Sequence, residues 1–212
     1  MYKNLGGNSL KNKKIQICIF IVVVLFIIIF SIVFKNNTAK KSKIGNNSSS
    51  QEISDYILNI SSYEATIEVD VKSNKNENKY IIKQIYNGPE DNMQEVLEPS
   101  NIAGVKIIKT GNSLKLENSN LNLVSMFENY EYISENSLDL SSFIKEYKND
   151  PKAMMEEKDN KVMMQTSSGD KLKKHKTLYI NKETGMPEKM EIQDDNKNIA
   201  VYILYNEVKV NS

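Results

Sequence analysis

Proton transfer near neutral pH most readily uses histidine, and hydrolytic metal centres usually need histidine or cysteine. This 212-residue sequence holds one of each, His175 and Cys18. His175 stands at the start of an expected strand among Lys173, Lys174 and Lys176, where a solvated surface histidine outweighs a catalytic one. Cys18 lies in an apolar run, with no second cysteine for an intrachain disulfide or a cysteine metal site. Glu156-Glu157 and Asp194-Asp195 are adjacent carboxylates. Neighbours along a strand point to opposite faces, and Asp194-Asp195 falls in a turn, so surface charge is the better reading of both pairs. Gly6-Gly7 is isolated and makes no phosphate-binding loop. On this inventory no catalytic, cofactor-binding or metal-ligating residue is assigned, no cofactor is expected, and the chain reads as a binding protein, not an enzyme.

Two softer features point to binding. Met154-Met155 and Met163-Met164 could line an adaptable apolar site, although filling core gaps beneath a helix is the stronger reading. Eleven tyrosines could anchor an interface but more often lie half-buried in sheets. Nucleic acid is a poor partner, because no Arg occurs and every one of the 28 basic residues is Lys.

The elements that must position these residues follow from charge and periodicity. Residues 1–50 hold eight Lys and no acid, which leaves 20 Lys against 27 Asp and Glu, about −7, in the remainder. The leader is basic and the body acidic. Residues 15–34 are uncharged and apolar apart from Gln16, Cys18 and Ser31. Twenty helical residues at about 1.5 Å each span about 30 Å, the thickness of a bilayer's hydrocarbon core. The expected division is a tail at 1–14, cytoplasmic if the body lies outside, a transmembrane anchor at 15–34, a flexible Ser/Asn/Lys-rich linker at 35–50 and a folded body at 51–212. Lys3, Lys11, Lys13 and Lys14 before the run balance Lys35, Lys40, Lys41 and Lys43 after it, so charge alone leaves the orientation open.

In the body, Ile53, Tyr56, Ile57 and Ile60 take helical spacing behind a Ser49/Glu52 capping box. Tyr63 to Lys72 alternates apolar with polar residues as a half-buried strand does. Strands follow near Tyr80–Tyr86, Met93–Leu97, Val105–Lys109, Leu114–Leu116 and Leu123–Tyr130. Leu140, Phe143, Ile144 and Tyr147 predict a second helix before Pro151. A hairpin around Asp159-Asn160 then leads into a carboxy-terminal meander with turns at Asn181–Gly185 and Asp194–Asn198, whose last strand, Ile199 to Tyr205, is expected to be central and covered on both faces. Nine to eleven strands with two inserted helices give the α+β class: a strongly curved antiparallel sheet, an open half-barrel with helices on its concave side.

This order, with SSYEATIEVDV, LYINKETGMPEKMEI and YNEVKVN, resembles the LolA and LolB type of bacterial lipoprotein carriers over Gln51 to Ser212. Within that superfamily the Lys/Asn-rich text is most similar to the clostridial germination lipoproteins of the GerS type. The resemblance implies a body outside the membrane and a protein partner, a spore-cortex amidase; the carrier branch implies instead a lipid or lipoprotein acyl chain held in the half-barrel. The sequence departs from the GerS type in lacking a lipidated cysteine after the apolar run, so a transmembrane helix would replace the lipid.

Overall fold

The computed structural model describes residues 44–45, 47–72, 77–128, 138–167, 175–194 and 196–211. The expected anchor at 15–34, Gly6-Gly7, Cys18, Tyr130, Lys173, Lys174 and Asp195 lie outside them. Among the described residues no helix is long and apolar enough to cross a membrane.

The first helix, α1 (Ser50–Leu58), begins with the expected box: the Ser49 hydroxyl accepts from the Glu52 amide while the Glu52 carboxylate accepts from the Ser49 amide at 2.7 Å. Such an N-cap contributes about 1 kcal/mol by satisfying amides that helix geometry leaves without partners. Ile53 and Ile57 are buried on one stripe, and Ile60, just past the helix end, extends it.

Strand β1 (Ser62–Lys72) follows the predicted alternation: Tyr63, Ala65, Ile67 and Val69 are buried while Glu64 and Glu68 are exposed. It hydrogen-bonds on one side to β2 (Glu77–Tyr86), which continues into β3 (Asp91–Glu98), β4 (Val105–Thr110), β5 (Ser113–Asn118) and β6 (Leu123–Phe127) as an antiparallel meander. After the second helix, α2 (Leu140–Asn149), come β7 (Met154–Lys158), β8 (Lys161–Gln165), β9 (Lys176–Asn181), β10 (Pro187–Gln193) and β11 (Ile199–Asn211). β11 turns back to pair with β1, from Ser62 opposite Asn211 to Val71 opposite Val201. The eleven strands form one open antiparallel sheet with the order β6-β5-β4-β3-β2-β1-β11-β10-β9-β8-β7, so β6 and β7 are its two edges.

Turn chemistry fixes the hairpins. Asp159 and Asn160 both take positive φ, 52° and 60°, as a two-residue turn between right-twisted strands requires. Gly185 closes the β9–β10 turn at φ 69°, and Pro187 starts β10, where its missing N–H costs nothing. An added Cβ at Gly185 would meet Ile44 Cγ2 at 2.5 Å, so glycine also makes room for the chain entering the body.

Both helices pack on the same side. Leu140, Phe143 and Ile144 of α2 join Ile53 and Ile57 of α1 in a single core with inward residues of β1, β2 and β8 to β11, among them Ile67, Ile82, Met164, Leu178, Met190 and Ile203. These elements belong to one compact unit running from Ile44 onward. β11 is central as expected, but its two faces differ: Ile203 and Tyr205 are buried, whereas Ala200, Tyr202 and Leu204 on the other face are only half-buried.

Candidate functional site

Among the described residues, none of those weighed for chemistry assembles into a reactive centre. His175 is half-buried just before β9, where its carbonyl accepts from the Gln193 amide at 2.9 Å. Glu156 and Glu157 are exposed on β7, and Glu157 binds Lys182 and Ser50. Asp194 shapes its turn by accepting from the Asn196 and Asn198 amides at 2.9 and 2.8 Å. Among the described residues no cluster of three His, Cys, Asp or Glu could hold a metal. The methionines divide: Met164 is fully buried in the core, as the stronger reading has it, while Met154 on edge strand β7 is 61% exposed.

Sequence reasoning missed the polar interior beneath α2. The pairing Tyr63–Tyr86–Asn92–Lys109 runs straight across β1, β2, β3 and β4, and the pairing Ala65–Gln84–Gln94–Ile107 lies beside it. Gln84 and Gln94 therefore point inward, only 1% and 6% exposed. Gln84 donates to the Leu138 carbonyl at 3.3 Å, and Gln94 donates to the Asp139 carboxylate. Asp139 is the N-cap of α2, yet its side chain makes no capping bond. It turns into the interior, where burial pushes its carboxyl up to about 6 against the hydrogen bond from Gln94 and the charges of Lys176 and Lys109. Burial, with Asp139 nearby, also raises the Tyr63 and Tyr205 hydroxyls; Tyr63 bonds to Ser141, while the Tyr205 hydroxyl and Gln84 Oε1 have no partner among the described residues. Period-two counting gave no signal for Gln94, because β3 reads DNMQEVLE without alternation.

Lys176, next to the His175 that the sequence places in water, is also inside. Its side chain is 2% exposed, and its ammonium donates to Glu146 of α2 at 2.7 Å and to Ser142 at 3.5 Å. The pair ties α2 to β9.

The surface feature most fit to bind is edge strand β6. Leu123, Val124 and Met126 are 59–62% exposed, and Leu121, just before the strand, is 64% exposed. Leu123 and Phe127 share one face and Val124 and Met126 the other, so both faces of the edge are apolar. No charge occurs from residue 121 to 127. Native edges are ordinarily blunted by Lys, Pro or a bulge; the opposite edge, β7, carries Glu156, Glu157 and Lys158. β6 offers the backbone groups of a sheet edge and apolar side chains beside them, the means by which a partner adds a strand.

A family model described as "Sporulation protein YdcC-like" matches residues 13–212. No curated relative matches the sequence. Solved structures similar to this chain include the GerS lipoprotein in complex with the CwlD amidase from Clostridioides difficile, with 23% identity, a TM-score of 0.48, and coverage of 76% of this chain and 96% of that one. A LolA superfamily protein from Nitrosomonas europaea matches at 12% identity and a TM-score of 0.41, covering 78% and 94%. MucB in complex with MucA from Pseudomonas aeruginosa matches at 10% and 0.43, covering 76% and 58%. At such identities no residue role passes from these structures to this chain.

Proposed function

This chain belongs to the YdcC-like family of sporulation proteins, and on that premise we propose that it is a docking module for a protein partner, anchored in the membrane by residues 15–34 with its body outside. The uncharged apolar edge β6 carries this reading. A strand that exposes Leu123, Val124 and Met126 at an unblunted edge invites aggregation unless a partner covers it. The partner to try first is a spore-cortex amidase, since the GerS lipoprotein is described in complex with the CwlD amidase. The resemblance supplies that candidate, and the edge supplies the reason for a partner. An acyl chain in a half-barrel, the carrier alternative, fits less well, because Asp139, Gln84 and Gln94 make the space under the start of α2 polar.

The test uses the full chain with Val124→Lys and Met126→Lys, both at exposed positions where the fold has little at stake. Capture of the organism's own cortex amidase should weaken at least tenfold, and spores of the variant strain should germinate poorly. His175→Ala should behave as wild type in both assays. Wild-type amidase capture and germination by the double-lysine chain would overturn the proposal.

A further inference from the structure

A cavity of about 440 Å³ opens between α2 and the sheet, away from β6. Its floor is the cross-strand row Tyr86, Asn92 and Lys109, which register places side by side on β2, β3 and β4. One wall is α2, which presents Asp139, Ser142, Lys145 and Lys148 at three-residue spacing. Leu58, Ile60, Pro89 and Ile144 add apolar surface. From Asp139 to Lys148 the wall runs nine residues, roughly 13 Å of helix. The volume lies within the roughly 300–1,000 Å³ of small-molecule sites.

The charges at this cavity are unusual for the body. With about −7 net charge the body repels anions in general, and many of its lysines are committed to carboxylates, as Lys83 is to Glu64 and Lys161 to Glu188. Among the described residues neither Lys109 nor Lys148 has an ion-pair partner, yet both line this cavity together with Lys145. The ammonium groups of Lys109 and Lys148 call for an anion. At the α2 end away from Lys148 sits the Asp139 carboxyl, 8% exposed and within reach of the Lys109 charge, one oxygen of which accepts from Gln94 while the other makes no described hydrogen bond. With Asn92, which also lines the cavity, it calls for hydroxyl or amide donors. An alkyl chain pressed there would strip water from the second Asp139 oxygen and the Asn92 amide and leave them unpaired, at about 1–3 kcal/mol each. Next to Asn92 in the row, on the side away from Lys109, the Tyr86 ring with Pro89 and Ile60 offers an apolar wall for the C–H face of a ring.

We infer that this cavity binds a compact, hydroxylated organic anion, with an acidic or phosphorylated sugar as the type: its anionic group between Lys109, Lys145 and Lys148, its hydroxyls toward Asp139 and Asn92, and its ring on Tyr86. This site is separate from the docking edge and does not depend on that reading.

The probes are glucuronate and glucose 6-phosphate, titrated calorimetrically into the purified full chain, with inorganic phosphate and octanoate for comparison. At least one sugar anion should bind ten times more tightly than either comparison compound. Lys109→Gln with Lys148→Gln, both outside the core, should weaken it at least tenfold with the circular dichroism spectrum unchanged. Lys197→Gln, in the β10–β11 turn, should leave it unaltered, as should the β6 substitutions. Absence of binding by both sugar anions overturns the inference. So does equal binding of octanoate or inorganic phosphate, or undiminished affinity in the double-glutamine chain.

Discussion

Glu146→Ala should be among the most damaging single substitutions in the body, although Glu146 itself is half-buried on a helix. The Lys176 ammonium it serves is 2% exposed, and with Glu146 gone the Ser142 hydroxyl at 3.5 Å is its one hydrogen-bond partner among the described residues, with the Asp139 carboxyl acting from farther away. Removing one partner from a buried ion pair costs about 3–5 kcal/mol, because a charge is left without compensation. In a domain of this size each kcal/mol moves Tm by about 2–4 °C, so a fall of roughly 6–20 °C is expected. Lys176→Met behaves differently. It removes the buried charge and keeps the apolar stem, while Glu146, whose side chain is 18% exposed, can turn toward water; its cost should stay below about 1.5 kcal/mol. Adding Lys176→Met to Glu146→Ala should therefore restore most of the lost stability. Urea unfolding of the full chain, followed by tyrosine fluorescence and circular dichroism, measures all three variants. Equal losses for Glu146→Ala and Lys176→Met, or a loss under 1 kcal/mol for Glu146→Ala, would refute the argument that a buried ammonium depends on this carboxylate.

Ile67→Asp should unfold the body by placing an unpaired charge at a fully buried position, while Glu68→Lys on the exposed face of the same strand should change Tm by no more than a few degrees; comparable melting of the two would contradict the β1 register. Asp139 gives a pH signature. Its carboxyl titrates near 6 in the folded chain against 3.8 for an unburied one, so the folded state holds the proton more tightly and stability falls as pH rises between those values. At about 1.4 kcal/mol per pH unit the interval is worth on the order of 3 kcal/mol. Asp139→Asn keeps an acceptor for Gln94 and should match wild type near pH 4 but exceed it above pH 6.5 in urea titrations. A stability difference that does not change with pH would show that Asp139 is not the titrating group.

Much of the fold could be read from local pattern. The alternation of β1, the Ser49/Glu52 box, the Asp159-Asn160 turn and the Gly185-Pro187 sequence each carry their own geometry, and each stands where periodicity and turn chemistry place it. The polar interior could not be read this way. Gln84, Gln94 and Lys176 are residues that a pattern assigns to water, and only the register between strands, together with the seat of α2, turns them inward. Asp139 misleads in another way. It occupies the position and has the side chain of a helix cap, and it uses that side chain elsewhere. The β6 edge was hidden for a third reason: an apolar strand looks the same in sequence whether it is covered or bare, and only the strand order shows which strands end the sheet.

The pairing of β1 with β11 sets a condition on how the molecule is made. Ser62 meets Asn211, so the seam in the middle of the sheet joins residues about as far apart along the body as they can be. As a ribosome or a translocation channel releases the chain from its amino end, β1 to β6 can zip as successive hairpins, but the free side of β1 has no mate until β11 emerges. During that interval the nascent sheet has two bare edges, β1 and β6. Closing the seam bears the loop-closure entropy of the whole intervening chain, a cost that rises only slowly with length but delays the event. The half-made body is thus exposed to neighbouring nascent chains for most of its synthesis, and its last strand is the one that commits it to fold alone.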